Sequence, residues 1–130
     1  MKMPIMKHAY VLSDVEVDMR MTDPVQRQLD AYNAKDLAAF ISCYHSDIAI
    51  YRMPATQPSL KGRAALETFY KTERFSIAAL RAEVLQRMVV GNKVIDQERV
   101  YGFTEQPYQV MVVYEVQDGL ILNAWFYPAG

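Results

Sequence analysis

The chain changes its rhythm near residue 77. Before that point apolar residues recur at three- and four-residue spacing, as on a helix with one buried face; after it apolar and polar positions alternate, as on a strand. In the first part, Asp23-Pro24-Val25-Gln26 combines a capping residue, a proline at the first helical position and a glutamine at the third. Val25, Gln28, Leu29 and Tyr32 then share one face. A second helix is expected after Asp36, burying Leu37, Phe40, Ile41 and Tyr44. A strand over 47–53 follows, then a loop through Pro54 and Pro58, and Gly62 opens a third helix with Leu66, Phe69 and Tyr70 inward. In the second part, strands over 78–90 and 93–104 flank Gly91-Asn92, and strands over 108–117 and 120–127 flank Asp118-Gly119, a tight-turn pair. Helices first and a meander of long strands afterwards predicts an α+β domain, with three N-terminal helices packed on one face of a curved, mostly antiparallel sheet.

Residues 1–22 stand apart from the domain over 23–130. From Asp14 to Met21 the alternation is strict, with Val15, Val17, Met19 and Met21 on one side and Asp14, Glu16, Asp18 and Arg20 on the other. The segment reads either as a strand added to a sheet edge or swapped to a partner, or as an unstructured tail.

Two-residue turns fix register, and register fixes faces. Pairing Val90 with Lys93 sets Gln86 opposite Gln97, Val84 opposite Arg99 and Ala82 opposite Tyr101, while Arg87 meets Asp96 on the other face. The second hairpin gathers Val110, Val112, Tyr114, Val116, Ile121, Asn123, Trp125 and Tyr127. Both sets are assigned to the side under the helices. The reverse face then holds Leu85, Val89, Val94, Val100, Met111, Val113, Leu122, Ala124 and Phe126, which is too apolar for water and predicts a homodimer through the convex face of the sheet.

On this assignment the helix side carries Gln97, Arg99 and Asn123, with hydroxyls from Tyr101, Tyr114 and Tyr127. Buried polar groups need partners, so these either close into a structural network or line a cavity that takes a small organic molecule. Arg52 alternates with Ile48 and Ile50 and points to the same interior, where Gln28, Tyr32 and Trp125 complete the candidate pocket.

Composition narrows the partners. The 130 residues, 52% apolar and 22% charged, suit a single globular domain. A formal net charge of −1, from 14 basic and 15 acidic residues dispersed along the chain, offers no field to hold a phosphate backbone, so no nucleic acid is expected. No run approaches the roughly 18 apolar residues of a membrane span. The N-terminal stretch has no continuous apolar signal core, and Cys43, expected as a buried thiol on the second helix, cannot pair internally; the reading is cytoplasmic, with no membrane partner. His8 and His45 lack partners at ligand spacing, and there is no phosphate loop, nucleophile elbow or zinc cluster, so neither metal nor cofactor is expected.

The segments "VQRQLDAYNAKDLAAFISCYHSDIAIY", "KGRAALETFY", "GNKVIDQERV" and "VVYEVQDGLILNAWF" resemble the nuclear transport factor 2-like superfamily, over about residues 23–127. The superfamily includes ketosteroid isomerases, limonene-epoxide hydrolase, SnoaL-type polyketide cyclases and many small bacterial proteins of unknown activity. The resemblance implies a cone-shaped barrel with a pocket between sheet and helices, usually in a homodimer. Its best-known chemistries do not carry over. At the position of the isomerase general-base aspartate stands Arg52, the oxyanion-hole tyrosine falls at Gln28 with Tyr32 one turn further on, and no acid of the fourth strand matches on the expected pocket face. An arginine cannot abstract a proton beside a carbonyl at neutral pH. The epoxide-hydrolase carboxylates fall at Tyr101 and Tyr127, leaving only Arg99 of that set.

Three readings follow: a pocket for a small apolar or anionic ligand held by Arg52 and Arg99; an isomerase, cyclase or dehydratase with a tyrosine acid and an unassigned base; and a non-catalytic dimerisation module with both arginines in closed ion pairs.

Overall fold

The computed structural model describes residues 13–129. Two helices, α1 (Asp14–Ala34) and α2 (Leu37–Ile41), lead into strand β1 (Tyr44–Arg52) and the short β2 (Leu60–Lys61). A third helix, α3 (Arg63–Glu73), precedes the meander β3 (Arg81–Val90), β4 (Lys93–Tyr101), β5 (Tyr108–Gln117) and β6 (Leu120–Pro128). The six strands form one sheet in the order β2-β1-β6-β5-β4-β3, antiparallel except where β1 runs beside β6. The helices lie against one face of this sheet, and the α+β expectation holds.

The N-terminal boundary differs from the sequence reading. The first helix starts at Ser13 rather than Asp23, and residues 14–22 are its opening turns rather than an edge or swapped strand. Ser13 supplies the reason: its hydroxyl accepts from the Glu16 N–H at 3.1 Å, and the Glu16 carboxylate accepts from the Ser13 N–H at 3.0 Å. This reciprocal cap, with Asp14 and Glu16 at the positive end of the helix dipole, outweighs eight residues of alternation. Pro24 therefore sits inside α1, where it withholds a donor from the preceding turn. Residues 1–12 of the expected arm lie outside the described residues.

Downstream the elements fall close to where expected. Asp36 caps α2 through the Ala39 N–H, and Gly62, at φ 92°, starts α3. Cys43 is buried, as expected, but lies between α2 and β1 rather than on the helix. The core gathers Val25 from α1, Phe40 from α2, Ile48 from β1, Leu66 from α3 and Val94, Val112 and Ile121 from the sheet. Phe40 packs its ring 4.6 Å from that of Tyr70 and 5.0 Å from that of Tyr44.

In the two hairpins, one bulge each decides which face the strand residues take. The first hairpin has the expected register near its turn, with Arg87 against Asp96, Met88 against Ile95 and Gln86 against Gln97. An extra residue, Leu85, then shifts the pairing, so Val84 meets Glu98 and Ala82 meets Val100. In the second hairpin Leu122 is the extra residue, so Val116 meets Ile121 but Glu115 meets Asn123. The two hairpins are joined by residues 102–107, too long a link to fix their mutual register, and in the fold Glu98 pairs with Val110 and Asp96 with Val112. Val94, Asp96, Glu98 and Val100 are accordingly the buried face of β4. The expected assignment of β4 is inverted along its whole length, and that of β6 beyond its bulge.

Candidate functional site

Seven elements converge on a cavity of about 180 Å3 between the concave face of the sheet and the helices. Its floor comes from Glu98 and Val100 of β4, Val110 and Tyr114 of β5 and Phe126 of β6. Gln28 and Tyr32 of α1 and Tyr70 of α3 cover it, and Arg52, Arg74 and Tyr108 stand at the ends of their elements.

A chain of hydrogen bonds crosses the interior. The Tyr44 hydroxyl donates to Gln28 Oε1 at 2.9 Å, Gln28 Nε2 donates to the Tyr114 oxygen at 3.2 Å, and the Tyr114 hydroxyl donates to Glu98 Oε2 at 3.0 Å. Gln28 can serve both tyrosines because the α1 period that buries Val25 and Leu29 also turns position 28 inward, and an amide carries donor and acceptor together. Each of the four residues comes from a different element, so the chain also pins α1 to the sheet.

Glu98 is 6% exposed, and burial pushes its carboxyl up from an ordinary 4.5 to about 7, helped by the negative charge of Asp96 two residues away. The Tyr114 hydroxyl and, more weakly, Arg87 pull the other way. Asp96 itself is fully buried and clamped by Arg87, whose Nε and Nη2 donate to its two oxygens at 2.7 and 2.9 Å. Arg87 Nη1 reaches on to Gln26 of α1 at 2.8 Å. Two carboxyls on one strand face thus have opposite surroundings: Asp96 has a guanidinium, Glu98 a tyrosine.

At the mouth the charge is positive. The Arg52 guanidinium lies 5.6 Å from the Phe126 ring centre and 5.9 Å from that of Phe69; Arg74 lies 4.9 Å from Phe69 and 4.3 Å from Phe103. Neither arginine has a carboxylate within 4.0 Å among the described residues. Tyr70 and Tyr108 sense both ends: burial raises their hydroxyl pKa, Glu98 adds to that, and the two arginines oppose it.

Of the residues expected in a pocket, Arg52, Gln28, Tyr32 and Tyr114 line the cavity. The others lie on the convex side or at its edges. Gln97 donates to Gln109, the Tyr101 hydroxyl donates to Glu83, and Asn123 donates to Glu115. Trp125 stacks on Tyr51 at 5.7 Å, Tyr127 is 36% exposed, and Arg99 pairs along β5 with Gln109. Arg99 therefore does not join Arg52; Arg74 does. The expected closed ion pairs are absent for both Arg52 and Arg99 among the described residues. The expectation of a pocket without a carboxylate is corrected by Glu98. Its sequence signal was available in Val94-x-Asp96-x-Glu98-x-Val100, two acids on the same parity as two valines, with Arg87 opposite Asp96. Among the described residues no group of His, Cys, Asp and Glu has the geometry of a metal site, and no helix is long and apolar enough to cross a membrane.

Comparison with known proteins places this geometry in a family. Residues 25–124 match the SnoaL-like domain, and the chain belongs to that family. Among solved structures it is similar to a nuclear transport factor 2-like protein of unknown function from Burkholderia xenovorans, at 18% identity over 87% of this chain and 85% of that one, with a TM-score of 0.74. A candidate ketosteroid isomerase from Kribbella flavida is 17% identical over 85% of this chain and 79% of the other, with a TM-score of 0.73. A SnoaL-like protein of unknown function from Burkholderia thailandensis is 21% identical over 85% and 95%, with a TM-score of 0.70. No curated protein matches the chain. At these identities the structural likeness establishes the fold.

Proposed function

We propose that the protein binds a small organic anion in the cavity between sheet and helices, with the anionic group at Arg52 and Arg74 and the apolar body against the aromatic walls. The observation that carries this reading is the pair of guanidiniums flanking Phe69, both without a carboxylate partner among the described residues, at the end of a cavity walled largely by aromatic and aliphatic side chains. The cavity, about 180 Å3, is smaller than the roughly 300 Å3 at which drug-sized sites begin, so the ligand is compact. Benzoate should raise the melting temperature in a thermal-shift titration, and benzyl alcohol should raise it much less. The double variant Arg52→Ala, Arg74→Ala should lose the benzoate response, since each charged hydrogen bond contributes about 1.5–3 kcal/mol. Equal responses to acid and alcohol in both proteins would refute the reading.

Glu98 favours a second reading, an enzyme of the isomerase, cyclase or dehydratase type. A carboxyl with a pKa of about 7 is suited to take a proton and return it at neutral pH, which neither Arg52 nor the tyrosines can do. The convex face, with Met88, Val90, Met111 and Tyr127 exposed, supports a homodimer built across it.

A further inference from the structure

We propose that the ligand is a small oxo acid, whose carboxylate is held at Arg52 and Arg74 and whose ketone oxygen accepts a hydrogen bond from Glu98 Oε1. The proposal rests on the anion reading above and names the second polar group of the ligand.

It follows from counting hydrogens along the Tyr44–Gln28–Tyr114–Glu98 chain. Tyr114 has one hydroxyl hydrogen. Its oxygen already receives Gln28 Nε2, whose partner atom Gln28 Oε1 is occupied by the Tyr44 hydroxyl. The Tyr114 hydrogen therefore goes to Glu98 Oε2, which is fixed as an acceptor. A proton on Glu98 then resides on Oε1. That oxygen has no protein donor among the described residues and is not sealed from the cavity. Protonated, Glu98 presents one O–H donor to the cavity; ionised, it presents a negative charge. A ketone oxygen accepts and cannot donate, so it matches the first state and is rejected by the second.

The neighbouring groups leave Glu98 as the one that changes near neutrality. The hydroxyls of Tyr32, Tyr44, Tyr70, Tyr108 and Tyr114 are all pushed above their ordinary range by burial. Asp96 and Arg87 hold each other in a two-point ion pair. Glu98 titrates at about 7.

Levulinate and valerate test this, because they share a five-carbon acid chain and differ by one ketone. Affinity for each is measured by calorimetry at about pH 6 and about pH 8.5, on either side of the Glu98 transition, with both carboxylates ionised throughout. Levulinate should bind about tenfold tighter than valerate at the lower pH, and the advantage should vanish at the higher one. Glu98→Gln offers an N–H donor to the cavity at every pH while still accepting from Tyr114; it should keep the preference for levulinate and lose its pH dependence. Glu98→Leu should abolish the preference for levulinate over valerate at both pH values. Equal affinity of the two acids at the lower pH overturns the oxo-acid proposal and leaves the anion reading standing. Failure of both acids to bind overturns the anion reading itself. A preference in Glu98→Gln that still follows pH would show that another group is responsible and would also overturn the proposal.

Discussion

The two faces of the sheet reverse the usual division between inside and outside. On the concave face β4 buries Asp96 and Glu98, at 0% and 6% exposure, among valines. On the convex face Met88 and Val90, from the neighbouring strand, are 51% and 60% exposed. Carboxylates are rarely buried without partners, and apolar side chains gain by leaving water. Each departure has its own account. The inner charges are offset group by group, Asp96 by Arg87 and Glu98 by Tyr114 together with a raised pKa. Nothing among the described residues offsets the outer apolar groups. Stability of the inner face is therefore intramolecular, whereas the outer face would gain from a second surface.

The sharpest break in this contrast is Asp96→Ala. It leaves Arg87, 19% exposed at its side chain, without its two-point ion-pair partner, and should cost about 3 kcal/mol of folding stability in urea denaturation at neutral pH. A loss below about 1 kcal/mol would place the pair among the weak surface ion pairs.

Next in size is the pH dependence due to Glu98. Its folded pKa, about 7, lies above the ordinary 4.5, so folding favours the protonated form. Below pH 4.5 both states are protonated and burial of the carboxyl exacts no ionisation penalty. As pH rises towards 7 the unfolded state loses its proton while the folded state retains it, and stability falls; above the folded pKa the loss is constant, at about 3 kcal/mol. Glu98→Gln should remove this slope, so the variant gains on the natural chain across that window when denaturation is followed against pH. Parallel curves for the two proteins would mean that Glu98 is not the group that titrates.

The smallest effect on folding is expected outside. Met111→Lys, at a residue 42% exposed, should change monomer stability by no more than about 0.5 kcal/mol. Light scattering should nevertheless find half the mass of the natural protein if two copies meet across this face, because the substitution buries a charge in each half of a symmetric contact. An unchanged mass, whether monomeric or dimeric, would remove Met111 from any interface.

The legibility of the fold and the opacity of the site have the same origin. Periods of 3.6 and 2, Asp36, Gly62 and the Asp118-Gly119 turn are local signals, and the elements they announce are present. The cavity depends instead on which face of each strand turns inward, and that parity changes wherever a bulge adds a residue. Gln97, Arg99, Tyr101, Asn123, Trp125 and Tyr127 were expected inside by counting in twos along unbroken strands. Arg52, on β1, needed no count through either bulge; Gln28 and Tyr32, on a helix, needed none at all. Glu98 was hidden by its own charge: polarity argues for the surface unless a partner is known, and Tyr114 lies 16 residues away in sequence. At the N-terminus a capping pair that spans only Ser13 to Glu16 prevailed over a longer alternation.

The bulge at Leu122 acts on β6 as a frameshift acts on a message. Upstream of it Ile121 is an inward residue; downstream, Ala124 and Phe126 are inward in place of Asn123, Trp125 and Tyr127. Were Leu122 instead seated in the ladder opposite Glu115, every later residue would slip by one, turning the second set towards the cavity and the first away, and replacing Ala124 and Phe126 with an amide, an indole and a phenol in one step. A scaffold of this kind can thus present a different binding surface by a slip of one residue in register, without waiting for substitutions to accumulate at each lining position.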